Sequence, residues 1–244
     1  GFYSNYKLRV DLFTSLGSQV VSSITASVGN VNASEGKERK QSIFEGLFCA
    51  SAWFFGLSAV GLLLLSNNFI RLWVGSDYVL DMASVAAIVG AFYVNNMHHA
   101  CFVYRNTAGL FVYGKYIPIV ASVLNVGLDV ALGLWLGLPG IFLATIISRA
   151  LTYEIVDPYI IYKRVFGKSV IAYYGNYLMY SAVVAISGAA CWAALTVVPV
   201  GNWMGFAAGC AIVGVVYSAV FCLLSFKTSG FGVLHGFAQR IVKR

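Results

Sequence analysis

Few residues in this chain can do chemistry, and the most telling of them sit inside apolar runs. The stretch DVALGLWLGLPGIFLATIISRALTYEIVDPYIIYKR carries Asp129, Arg149, Glu154 and Asp157. A charge inside hydrocarbon costs a few kcal/mol or more, so it pairs with an opposite charge or faces water. The turn at Pro139 is tight, which makes the segments on either side antiparallel neighbours. Asp129 lies about eight residues before its centre and Arg149 about twelve after it, a rise mismatch of roughly 4–5 Å that a long arginine can span. Two readings follow. Asp129 and Arg149 form an ion pair within a bundle, or Arg149 faces a cavity and meets an anionic ligand. Glu154 and Asp157 fall toward the end of the run, where they either balance the basic residues Lys163 and Arg164 at an interface or, for Glu154, couple transport to a proton.

Other groups admit similar pairs of readings. Lys7 and Arg9, with Asp11 next to them, precede or open a polar helix. Cations there would attract a diphosphate or another acidic group, or else snorkel toward headgroups. Asn95 and Asn96 fit interhelical hydrogen bonds or contacts to ligand hydroxyls. His98 and His99 have no cysteine or carboxylate at ligand spacing, so no metal site is expected. Glu45 falls in the first turn of its helix, where a negative side chain suits the dipole. The five cysteines (Cys49, Cys101, Cys191, Cys210, Cys222) form no CxxC pair and read as free thiols. No phosphate-binding glycine loop and no nucleophile elbow occurs. No catalytic residue, metal or cofactor is therefore expected, and the chain does not read as an enzyme.

The elements that must hold these groups follow from composition. Of the 244 residues, 59% are hydrophobic and 10% charged, against about a quarter charged in soluble domains. Mean hydropathy is +0.80. Such a chain calls for an apolar solvent and reads as an all-α, multi-pass membrane protein. Seven apolar runs are long enough to span a bilayer: about 8–30, 42–65, 79–104, 116–136, 139–161, 172–198 and 203–226. The first is rich in Ser, Thr and Gln, which suits a helix facing a wet cavity or its neighbours. The runs lack period-2 alternation, which argues against a β-barrel.

The net charge of +7 is a matter of topology, not of nucleic acid. Twelve basic residues fall in alternate gaps (31–41, 105–115, 162–169 and the C-terminal tail), and one, Arg71, falls in the others. The positive-inside rule places the rich side in the cytoplasm. In the tail, residues 227–244, Val233, Leu234, Phe237, Ala238 and Ile241 share one helical face, and Arg240, Lys243 and Arg244 lie off it. That pattern suits an amphipathic helix on the cytoplasmic leaflet or a frayed basic end. Gly133 with Gly137, and Gly205 with Gly209, have the four-residue spacing that lets helices approach closely.

Several stretches, taken in order, resemble a known family. They are GFYSNYKLRVDLFTSLGSQVVSSITASVGNVNASE, NNFIRLWVGSDYVLD, YRNTAGLFVYGKYIPIVASVLNVGLDVALGLWLGLPGIFLATIISR and DPYIIYKRVFGKSV. Together, to about residue 180, they are similar to Wzx-type polysaccharide repeat-unit flippases of the MOP (multidrug/oligosaccharidyl-lipid/polysaccharide) exporter superfamily. The resemblance implies the C-terminal lobe of a MATE-like transporter, with YSNY just after the seventh helix of the whole and the N-terminal lobe preceding Gly1. It implies a bacterial cytoplasmic-membrane location and a cargo, an oligosaccharide on undecaprenyl diphosphate, flipped by alternating access. It also makes Arg9 and Lys7, then Arg149, the nearest candidates for diphosphate contact. Two alternatives stand beside it. A drug/cation antiporter of the same superfamily would need Asp129 or Glu154 as a working acid. A membrane-embedded polysaccharide polymerase or ligase would need a large outer loop, whereas the longest outer gap here is about 13 residues.

Overall fold

The computed structural model describes residues 2–242, with the side chains of residues 2, 20–24, 26, 27 and 237–242 outside that description. Every regular element among them is helical. These are α1 Phe2–Ser34, α2 Lys37–Trp73, α3 Met82–Met97, α4 His99–Thr107, α5 Ile117–Leu136, α6 Leu138–Leu151, α7 Tyr153–Ile161, α8 Ile171–Leu195, α9 Trp203–Ser225 and α10 Ser229–Val242. A π-helical turn, Tyr162–Phe166, continues α7. Five segments are long and apolar enough to cross a membrane: Lys37–Trp73, Phe111–Leu136, Leu138–Phe166, Ile171–Leu195 and Trp203–Ser225.

Local chemistry sets the boundaries. Asp81 caps α3, accepting from the Ser84 amide at 2.9 Å, and Asn202 caps α9 through the Gly205 amide at 2.7 Å, each satisfying a donor that a helix start leaves over. Between α5 and α6, Gly137 takes φ +65°, a conformation glycine adopts without a side-chain clash, and Pro139 opens α6 where its missing N–H is not needed. Gly137 thus makes the turn, while the close approach in this hairpin falls to Gly140, whose absent side chain leaves room for the Leu132 carbonyl.

Helix α2 is the axis. Of its most apolar window 61% is buried, against 11% for the Phe111–Leu136 segment. Helices α1, α3, α8, α9 and α10 all pack on it, and the α5–α6 hairpin docks outside them, through α6 onto α3. In lipid an apolar face gains little by leaving the solvent, so tight contacts and internal hydrogen bonds must hold the bundle. Rings supply much of this. Phe44 meets Tyr104 edge-on at 5.1 Å and Tyr162 edge-on at 6.0 Å, and Phe48 meets Tyr180 at 5.8 Å, geometries that suit the aromatic quadrupole. A second cluster gathers Tyr6, Phe55, Ile70, Val85, Ile88 and Phe92.

Two of the seven expected runs are interrupted. The third breaks at His98, between α3 and α4, and the fifth breaks at Thr152, between α6 and α7. The tail does form a helix, α10, but its beginning packs on α2. Val233 lies against Gly46, Leu234 joins the core, and Ser229 donates to Glu45 at 2.5 Å. The apolar face assigned to a leaflet is, in this part, spent on the bundle. The side chains of Phe237, Ala238, Arg240 and Ile241, on which the leaflet reading also rests, lie outside the described ones, and Lys243 and Arg244 lie outside the described residues.

Candidate functional site

The two helix breaks bring a buried ionic cluster together. At the first, His98 is 3% exposed. At the second, the Thr152 backbone leaves helical geometry, and its N–H bonds the Arg149 carbonyl, 3.2 Å, in place of Ser148. The Thr152 hydroxyl then takes the freed Ser148 carbonyl at 2.6 Å. A threonine bonding its own helix in this way bends it. One turn on, Pro158 cannot donate to the Glu154 carbonyl, and the Tyr174 hydroxyl of α8 does so instead, 3.1 Å away. The irregular backbone is satisfied within protein, which is the condition for broken helices at membrane depth.

Between these breaks Asp157, fully buried, lies 2.9 Å from His98 Nε2 and 2.6 Å from the Arg105 guanidinium. His98 Nδ1 is 3.6 Å from Glu154, whose other carboxylate oxygen accepts from Tyr173 at 3.0 Å. Arg149 stacks over Tyr153, 4.7 Å from the ring centre, and Tyr153 meets the His98 ring edge-on at 5.5 Å. The two carboxylates face two arginines, Arg105 in direct contact with Asp157 and Arg149 close by over Tyr153. Burial makes an unbalanced charge expensive, and the cluster balances its charges within protein. It ties together α4, α7, α8 and the α3–α4 junction.

A second feature lies where α1 meets α2. Arg9 donates to the Ser66 carbonyl, 3.0 Å, and to the Asn5 carbonyl, 3.3 Å, and its guanidinium lies over Tyr6 at 4.7 Å and Phe69 at 5.1 Å. Its Nη2 is buried and has no hydrogen-bond partner. Tyr6 anchors this end of α1 by donating to Asn67 at 2.5 Å and accepting from the Leu80 amide at 3.0 Å. Arg9 thereby borders a groove of about 460 Å³ between α1, α2 and α9, otherwise lined largely by apolar side chains such as Leu12, Phe54, Leu65 and Val213.

Set against the sequence reading, several placements change. Among the described residues no ion pair joins Asp129 to Arg149. Arg149 turns toward Tyr153 and the interior, while Asp129 stays on the peripheral α5 with its buried Oδ1 unpartnered. Glu154 and Asp157 are interior groups rather than interfacial balances. Lys7 is exposed and pairs with Asp11 one turn away. Two residues along a helix is about 200°, so Lys7 and Arg9 point to opposite sides and do not form one clamp. Asn96 is 1% exposed and its amide donates to the Phe92 carbonyl at 2.8 Å, so it offers no surface to a ligand. Asn95 is half-buried. Arg105, counted with the cytoplasmic gap, is instead 8% exposed and committed to Asp157. His98 and Arg105 join this buried cluster, whereas the sequence reading weighed His98 only as a metal ligand and counted Arg105 with a basic gap. The one signal was a histidine pair beside Asn95 and Asn96 in an otherwise apolar run.

No protein-family model, no curated protein and no solved structure matches this chain.

Proposed function

We propose that this chain is the C-terminal lobe of a membrane flippase. Its cargo is an oligosaccharide carried on a polyprenyl diphosphate, moved across the bacterial cytoplasmic membrane by alternating access. The observation that carries the reading is Arg9, a half-buried cation with an unpartnered buried N–H group at the edge of an apolar groove. A cation on an apolar groove suits an amphiphile with an acidic head, because the head is costly to leave in hydrocarbon and the tail is costly to leave in water. The family resemblance of the sequence points the same way. In this reading the seven apolar runs all cross the bilayer, the two interrupted ones included, since broken helices at midplane are how such carriers build sites. The C-terminus is cytoplasmic, and an N-terminal lobe supplies the other wall of the path.

The test is flipping of a polyprenyl-diphosphate glycan in proteoliposomes made with the full gene product. Arg9→Ala loses a charge-assisted hydrogen bond, roughly 1.5–3 kcal/mol, which is an affinity loss of about 10-fold or more. Lys7→Ala, on the opposite side of α1, stays close to the parent. Equal behaviour of the two variants, or full activity of Arg9→Ala, sinks the assignment.

A second reading, an antiporter of drugs or cations, is favoured by the His98–Glu154–Asp157–Arg105 quartet, which has the composition of a coupling site. In that case Glu154→Gln abolishes transport and Arg9→Ala does not.

A further inference from the structure

We infer that the connections at one end of the bundle build a binding site for a phosphate-bearing anion. Three segments distant in sequence meet there: the α1–α2 connection with the first turn of α2, the residues after α4, and the π-helical turn after α7. They enclose a cavity of about 340 Å³ whose lining includes Lys37, Lys40 and Arg164, with Glu35 as its one acidic member. No carboxylate among the described residues comes within 4 Å of any of the three cations, so the lining carries a net +2 without a counter-ion.

Two of the cations, Arg164 and Lys37, are placed by neighbouring groups. The Arg164 guanidinium lies over the Tyr113 ring, 4.4 Å from its centre, which fixes a planar fork beside the cavity. Lys37 crosses from the start of α2 to the π turn. Its Nζ lies 3.1 Å from the point a side-chain Cβ on Gly167 would occupy. Gly167 itself has φ +69°, so a larger residue there would both strain the turn and displace the lysine. The Lys40 carbonyl accepts from Tyr104 at 2.9 Å, which pins the first turn of α2 to α4. Gly36 caps α2 without a side-chain bond, so the first N–H groups of a 37-residue helix add positive character to the cavity wall. Three unpaired cations in one polar cavity repel one another, and an anion with several oxygens removes that repulsion while accepting from each.

The chemistry fits a phosphate group, borne either by a lipid headgroup or by a soluble diphosphate. The site is separate from the Arg9 groove and does not depend on the cargo proposed above.

The experiment uses the full chain in phosphatidylcholine nanodiscs and reads Tm from tryptophan fluorescence. Two probes are compared, phosphatidylglycerol mixed into the nanodisc and inorganic diphosphate in solution. A probe near ten times its Kd raises Tm by about 3–5 °C. The double substitution Lys37→Gln with Arg164→Gln, both exposed residues, removes at least half of that rise. Lys115→Gln, a basic residue outside the cavity, retains it. A rise with lipid alone assigns the headgroup, a rise with diphosphate alone assigns the soluble anion, and a rise with both assigns the phosphate group itself. No rise with either probe overturns the proposal. So does a rise that survives the double substitution or is lost equally in Lys115→Gln.

Discussion

Asp157 shows how much one interior carboxylate demands of its neighbours. It is fully buried, with Arg105 on one oxygen at 2.6 Å and His98 on the other at 2.9 Å. Removing Arg105 alone leaves a buried negative charge short of its partner, so Arg105→Ala should cost about 3–5 kcal/mol of stability. The pair need not be net stabilising, however, since a well-packed apolar replacement avoids desolvating both ions. Arg105→Met combined with Asp157→Leu should therefore recover most of the loss. Reversible unfolding in mixed micelles measures this as a double-mutant cycle. Losses that simply add would show that the two groups do not act as a pair. Asp129 stands outside this network: it is half-buried on the peripheral α5, with its buried Oδ1 unpartnered.

At the scale of the element, the breaks at His98 and Thr152 matter more than the helices they divide. The break at Thr152 is compensated locally. Thr152 returns a hydrogen bond to Ser148, and Tyr174 supplies to the Glu154 carbonyl the donor that Pro158 lacks. The second compensation is testable. Tyr174→Phe leaves that carbonyl unsatisfied and should destabilise the protein by about 1–3 kcal/mol. Pro158→Ala restores a backbone N–H one turn away. In that background Tyr174→Phe should be nearly silent, and equal costs in both backgrounds would refute the exchange of donors. The breaks also let α7 tilt its Glu154 and Asp157 toward His98. A continuous helix through Thr152 would have kept its hydrogen bonds but turned those side chains elsewhere, because each residue adds about 100°.

For the whole molecule, the cationic cavity lined by Lys37, Lys40 and Arg164 bears on topology. Three gaps that the charge pattern assigns to one side, 31–41, 105–115 and 162–169, meet at a single end of the bundle. Single-cysteine labelling with an impermeant maleimide, in a background lacking Cys210 and Cys222, should find Lys37→Cys and Lys168→Cys on the same side. Asp77→Cys, in the connection that carries Arg71 nearby, should label from the other. Labelling of residues 37 and 168 from opposite sides would break the proposed seven-crossing arrangement. The exposed apolar surface of α5, including Leu134 at 86% and Trp135 at 78%, is what a lipid-facing hairpin presents, whereas α2 is covered by helices on nearly every side.

Composition and run length were enough to read the class, the helical segments and the uneven distribution of basic gaps, because burying a backbone in hydrocarbon leaves few architectures open. The polar character of α1 and the tight turn at Pro139 were legible for the same local reason. The partners of the charges were not. Sequence separation favoured Asp129 for Arg149, yet Asp157 pairs with Arg105, 52 positions away, and with His98. Rotation about each helix axis decides which side chains face inward, and that rotation is set by packing against other helices and by two breaks whose backbone bonds are satisfied from α8 and from within. Apolar runs carry little periodicity when lipid and protein core are equally greasy, so only the tertiary structure could orient them.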